Sequence, residues 1–229
     1  MKVLLAATLA VASLSPMAIA QDTSKIDARI DAAHAVLHEL MNTPDKGVPL
    51  DIAAKATCVL VVPSFKKGAF VFGAEYGQGV VTCRTPSGRW SAPAFVQLEG
   101  ASFGFQAGGQ STDLVLIGMN HHAIDHLLKD KVKLGGDASV AAGPVGRDTQ
   151  ASTTELANAE FLTYSRNKGL FAGISLDGTS VSQNSDDTEI YYGQPQRFQA
   201  VLKGDVAVPP GAVPFVRDVA QSFVRAKQQ

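Results

Sequence analysis

Two short strings in this chain carry the residue types that chemistry needs. Gly100-Ala101-Ser102-Phe103-Gly104 matches the G-x-S-x-G pattern of a hydrolase nucleophile elbow, in which a sharp strand-to-helix turn exposes the serine. The following residues, Phe105 to Gly109, are Gly-rich and extended in pattern, so the string reads as a close-packed core strand. His121, His122, Asp125 and His126 put imidazoles four residues apart, on one helical face and within reach of one metal ion. So short a stretch supplies no converging further ligand, and it reads as a solvated helix face with neither a metal nor another cofactor. A phosphate cradle of the form G-x-x-x-x-G-K-[ST] is missing, and Gly77-Gln78-Gly79 lacks the third glycine and the helix of a dinucleotide site. With no acid, base and nucleophile set to assemble, the chain is expected not to be an enzyme.

The remaining candidates are cations and cysteines. Lys66-Lys67 stands beside a turn and Arg166 with Lys168 in another, each able to meet an anionic headgroup, although either pair alone reads as solvated turn residues. Cys58 and Cys83 are an even pair, which in an oxidising compartment favours a structural disulfide. In a plain meander of three strands they would lie two strands apart, about 9.5 Å, beyond the roughly 7 Å that a bridge spans between Cα atoms. A disulfide therefore requires the strands at 57–62 and 79–84 to be neighbours or to meet across a sandwich.

The elements that must position these residues follow from periodicity. Ser24 and Asp27 read as a capping box, and Ile26, Ile30, Ala33, Leu37, Leu40 and Met41 recur at helical spacing until Asn42-Thr43-Pro44. From Thr57 the pattern becomes that of short strands: 57–62 ended by Pro63, then 69–73, 79–84, 94–98, 102–107 and 113–118. A helix is expected from His121 to Lys129, capped by Asn120, followed by strands at 161–165, 170–176 and 179–182. Val216, Val219, Ala220 and Phe223 predict a last helix within 209–229. The expected class is α+β, an antiparallel β-rich barrel or sandwich of short strands with N-terminal, middle and C-terminal helices.

Composition agrees. The chain has 229 residues, 45% hydrophobic and 18% charged, with 21 Gly, 11 Pro and a formal net charge of -1. That excludes a disordered chain, and a net charge so near zero gives no basic surplus for nucleic acid. Lys2, the apolar run Val3 to Ala12, Pro16 and Ala18-Ile19-Ala20 form a signal peptide of residues 1–20 with cleavage after Ala20, predicting a periplasmic or secreted single domain over 21–229.

Several strings, in order, resemble one family. They are Val61-Val62-Pro63-Ser64-Phe65-Lys66-Lys67-Gly68, Gly77-Gln78-Gly79-Val80-Val81, Gly88-Arg89-Trp90-Ser91-Ala92-Pro93, Leu134-Gly135-Gly136-Asp137, Ala142-Gly143-Pro144-Val145-Gly146-Arg147, Tyr164-Ser165-Arg166 and Gly169-Leu170-Phe171-Ala172-Gly173-Ile174-Ser175-Leu176. Together, over about 33–193, they resemble the SYLF domain, also called the Ysc84 actin-binding or lipid-binding domain, in its exported bacterial branch.

The resemblance implies a non-enzymatic module. Eukaryotic members associate with phosphoinositide membranes, partly through an N-terminal amphipathic segment, and the fungal branch binds actin filaments. Carried over, the lipid-facing element would be the helix from Lys25 to Met41, with Lys25 and Arg29 near headgroups and Ile26, Ile30, Leu37 and Leu40 toward acyl chains. Lys66, Lys67, Arg166 and Lys168 would add headgroup contacts, and anionic phospholipid would be the partner. Actin is not expected in an export compartment. Because the helix also carries Asp27, Asp31 and Glu39, the same apolar face could instead cover the sheet, which would make the chain a structural or protein-interaction domain of the envelope.

Overall fold

A computed structural model describes residues 16–43, 47–69, 72–103, 108–145, 156, 158–167 and 170–224. Helix α1 runs Pro16–Asn42, so the backbone is already helical through Ala18-Ile19-Ala20, upstream of the start expected from capping at Ser24. Helix α2 (Leu50–Lys55) leads into the sheet. The strands are β1 (Cys58–Ala69), β2 (Phe72–Cys83), β3 (Ala94–Phe103), β4 (Gly108–Gly118), β5 (Lys131–Lys133), β6 (Val140–Ala142), β7 (Phe161–Asn167), β8 (Leu170–Gly173) and β9 (Ser180–Gln183). The further helices are α3 (His121–Leu127), α4 (Ser185–Tyr192), α5 (Phe198–Lys203) and α6 (Val213–Ser222), the last entered through a 3-10 turn at Pro210–Ala212.

The strands form one nine-stranded sheet in the order β5-β9-β3-β2-β1-β4-β7-β6, with β8 on β7. The α+β class and the flanking helices are as expected, and the sheet takes the form of a curled half-barrel. Pairing is antiparallel throughout except between β6 and β7. The outermost strands of the main path, β5 and β6, are three residues each, and short edges offer little to a foreign strand.

Both faces of the central strands are covered, which is why β1 opens with an unbroken apolar run rather than an alternation. Val59 and Val61 join Val80, Phe95, Val115, Ile117 and Tyr164 under α1 and α6. Leu60 and Val62 join Phe65, Val81, Val96, Leu98 and Leu116 under α3 and α5.

The β1–β2 hairpin departs from the sequence reading. Pro63 does not end the strand. It sits at a bulge where the register shifts between Val62 and Phe65 and Ser64 takes φ 58°, its N–H donating to Asp113 Oδ1 at 2.9 Å. Of the strand expected at 69–73, Ala69 ends β1 while Phe72 and Gly73 belong with the strand expected at 79–84 to one strand, β2. Gly77 and Gly79 are there for close approach and not for a turn: a Cβ on Gly77 would lie 2.6 Å from Val62 Cγ1, and one on Gly79 2.7 Å from the Val61 carbonyl oxygen. Merging the strands makes β1 and β2 neighbours and sets Cys58 directly opposite Cys83, where the two are disulfide-bonded with Cα atoms 4.0 Å apart.

Candidate lipid-binding cleft

The helix proposed to face lipid lies on the sheet. Ile26, Ile30, Leu37 and Leu40 are each 2% exposed or less, among Val59, Val61, Phe215 and Val219. The polar residues of α1 fasten it there. Arg29 Nη1 donates to Asp187 Oδ2 at 2.5 Å and its Nη2 to Gln78 Oε1 at 2.8 Å, with the guanidinium 5.9 Å from the Phe95 ring centroid. Further along, Glu39 receives Arg166 at 2.9 Å, while Arg166 also reaches Asp113 at 3.3 Å. Tyr191 packs among the same elements with its hydroxyl buried and, among the described residues, without a hydrogen-bond partner. Burial, and then the Asp27 and Asp31 carboxylates, push that hydroxyl up to about 12.

The expected headgroup cations do not converge. Lys25 pairs with Asp22 at 3.0 Å within α1, Lys67 with Glu75 at 3.0 Å across the β1–β2 hairpin, and Lys66 is exposed beside it. Lys168 lies outside the described residues. The other candidates also scatter. Gly100 to Phe103 lie within β3, Ser102 paired with Gly73, so no strand-to-helix turn forms at the serine; Gly104 lies outside the described residues. On α3, Asn120 caps as expected by accepting from the Ala123 N–H at 3.1 Å. Its His126 lies 3.6 Å from Glu160 and 3.2 Å from Lys129 Nζ, while His121 and His122 are exposed.

A different constellation does converge. The turn after β2 (Arg84, Gly88, Arg89, Trp90) and α6 (Val213, Val216, Arg217, Ala220) enclose, with Val208 and Val224, a cleft of about 510 Å³. Its rim carries three guanidiniums. Arg84 is held in place, Nε donating to the Ala56 carbonyl at 2.9 Å and Nη2 to the Phe223 carbonyl, and its guanidinium carbon lies 4.7 Å from the Trp90 ring centroid. Trp90 is 7% exposed, edge-on to Phe223 at 6.0 Å, and among the described residues its buried Nε1–H has no hydrogen-bond partner. Arg89 and Arg217 are exposed.

An apolar floor with a rim of guanidiniums matches an amphipathic anion. Arginine meets carboxylate and phosphate oxygens two at a time, and the volume is within the range of small-molecule sites. Sequence reading did not find this cleft. The usable signal was the chain's one tryptophan directly after Arg89, with a helix rich in small apolar residues and Arg217 near the C-terminus.

A family model described as Ysc84, Las17-binding protein actin regulator, matches residues 99–222, more than half of the chain, from the end of β3 through α6. The chain belongs to the Ysc84 family. It is 37% identical over 172 residues to SH3 domain-containing YSC84-like protein 1 of Rattus norvegicus, covering 75% of this chain and 50% of that protein. It is 35% identical over 172 residues to the Homo sapiens protein of the same name. LAS seventeen-binding protein 3 of Saccharomyces cerevisiae is 31% identical over 205 residues, 88% of this chain and 44% of that one. The chain thus spans about half the length of the curated relatives it matches. Within this Ysc84-family chain the matched span carries the α6 wall of the cleft, Val213 to Ala220 with Arg217 between them, and the Arg84–Trp90 wall lies before it. Among the described residues no helix is long and apolar enough to cross a membrane.

Proposed function

We propose that this Ysc84-family chain is a non-enzymatic protein that associates with anionic lipid through the cleft between the Arg84–Trp90 turn and α6. The observation that carries this reading is the placement of Arg84, Arg89 and Arg217 around an apolar floor of Trp90, Val213, Val216 and Ala220. One acyl chain against the floor and its acidic headgroup on the rim would satisfy both halves of the site. Association by this route leaves α1 on the sheet.

The compartment proposed is the periplasm or the exterior, after cleavage following Ala20. The leader pattern supports it, and so does the Cys58–Cys83 bond, since disulfides persist where the surroundings are oxidising. Actin and Las17, which figure in the description of the family, are not the partners proposed for that setting. Flotation with phosphatidylglycerol vesicles at low salt tests the reading. Co-flotation that weakens as salt rises and fails with phosphatidylcholine supports it, and no co-flotation with either lipid rejects it.

A second reading is favoured by the burial of Ile26, Ile30, Leu37 and Leu40: an envelope domain that binds protein and not lipid, with α1 as permanent core. The two part on one result, since the second predicts no lipid dependence of any property of the cleft.

A further inference from the structure

We propose that α1 and α6 together form a binding site for a divalent transition-metal ion of the zinc class, with His34, His38 and Asp218 as ligands. His34 and His38 stand one turn apart on α1, and Asp218 is on α6, which packs against it. One oxygen, Asp218 Oδ2, lies 3.5 Å from His34 Nε2 and 3.5 Å from His38 Nδ1. The ligand atoms of all three residues fall within 4.8 Å of one another.

The two Asp218 distances are long for hydrogen bonds and match the spacing of ligand atoms that share an ion. An imidazole N–H donates to a carboxylate at about 2.7–3.2 Å, and among the described residues Asp218 Oδ2 accepts from no donor although it is buried. Tetrahedral zinc with bonds of about 2.0–2.2 Å holds its ligand atoms roughly 3.3–3.5 Å apart. A buried carboxylate oxygen with neither a donor nor a cation is costly. Among the described residues no lysine or arginine stands within ion-pair distance of Asp218; the two imidazoles are its neighbours. A metal ion between the three would supply the missing positive charge.

The surroundings leave the site accessible. His38 is 64% exposed and His34 34%, so a fourth position can be filled by water. Asn42 Nδ2 lies 3.3 Å from His38 Nδ1 while donating to the His38 carbonyl at 2.8 Å. A metal ion at Nδ1 would take the ring's lone pair in place of that contact, with the bond to the His38 carbonyl still holding the Asn42 amide. The contrast with α3 is instructive. His122 and His126 have the same four-residue spacing, but among the described residues no carboxylate converges on both, and His126 is turned to Glu160. An ion at the α1–α6 site would tie the first helix to the helix whose next residue back, Arg217, is on the rim of the cleft.

Isothermal titration of zinc chloride into the untagged full chain, with native mass spectrometry for the count, is the test. The expected result is one ion per chain, with affinity reduced more than about tenfold by H38Q and by D218N and unchanged by H122Q/H126Q. Zinc should also raise the melting temperature of the unsubstituted chain and leave that of H38Q unmoved. Because His38 is largely exposed, H38Q keeps the fold, which circular dichroism checks. An absence of saturable binding, binding indifferent to both H38Q and D218N, or binding lost in H122Q/H126Q would each overturn the proposal.

Discussion

The Arg84 guanidinium carbon lies 4.7 Å from the centroid of the Trp90 ring, held there by the carbonyls of Ala56 and Phe223. This fixes one cation over the aromatic floor of an apolar cleft before any ligand arrives. The exposed Arg89 and Arg217 are then free to close on an acidic headgroup without costing the fold. Replacing both with alanine should leave stability within about 0.5 kcal/mol, as surface substitutions do. Each cation near an anionic surface contributes roughly 1 kcal/mol, so the pair of changes should weaken vesicle association on the order of thirtyfold. Sedimentation with phosphatidylglycerol vesicles measures it, and unchanged binding would separate the cleft from the lipid.

Helix α1 is predicted to be structural. Leu37 is fully buried, and Leu37→Ala should cost about 2–5 kcal/mol, read as a shift in the urea midpoint. Asp187→Ala should cost about 3 kcal/mol, because it leaves Arg29 largely buried without its carboxylate. Deleting Lys25 to Met41 should unfold the chain. A deletion variant with a native circular dichroism spectrum would contradict the placement of this helix in the core.

The disulfide closes a loop over a sequence separation of 25. On the chain-entropy account a loop of that length stabilises by roughly 3–4 kcal/mol. Both cysteines are buried and alanine leaves little void, so Cys58→Ala with Cys83→Ala should lower the unfolding free energy by about that amount while the native spectrum persists. A loss under about 1 kcal/mol in denaturant titration would contradict the assignment of the bond as a structural staple.

Alkaline pH should destabilise the fold. Tyr191 is raised to about 12 by burial and by Asp27 and Asp31, and burial moves Tyr164 and Tyr192 in the same direction. An acid whose pKa is raised on folding holds its proton more tightly in the folded state. Above the unfolded value of about 10 the folded chain therefore binds more protons than the unfolded one, and stability falls as pH rises. The urea midpoint should drop between about pH 10 and about pH 12 and drop less in Tyr191→Phe. A midpoint flat across that window contradicts the burial of these hydroxyls.

Periodicity made α1 legible: Ile26, Ile30, Leu37 and Leu40 mark its buried face, and their helical spacing does not depend on what covers them. What they pack against is a tertiary fact, set by Phe215 and Val219 of α6 lying beside them. The β1–β2 hairpin is not legible locally, because Gly77 and Gly79 carry the same signal whether they make a turn or admit Val62 and the β1 backbone at close range. Pro63 was read as an end because a bulge that accommodates it depends on the partner strands. The cleft was not legible at all, since it joins Arg84 and Trp90 to Arg217 from distant parts of the chain. The same holds for Asp218 beside His34 and His38.

Trp90 is the chain's only tryptophan and forms the floor of the cleft, so its fluorescence reports cleft occupancy directly. Titration with phosphatidylglycerol carrying brominated acyl chains is therefore the most direct measurement. Lipid seated in the cleft predicts saturable quenching of Trp90 by the brominated lipid, absent with the unbrominated one and lost in the Arg89→Ala, Arg217→Ala variant. Emission unchanged by brominated lipid, or quenched equally in that variant, would contradict lipid binding at this site.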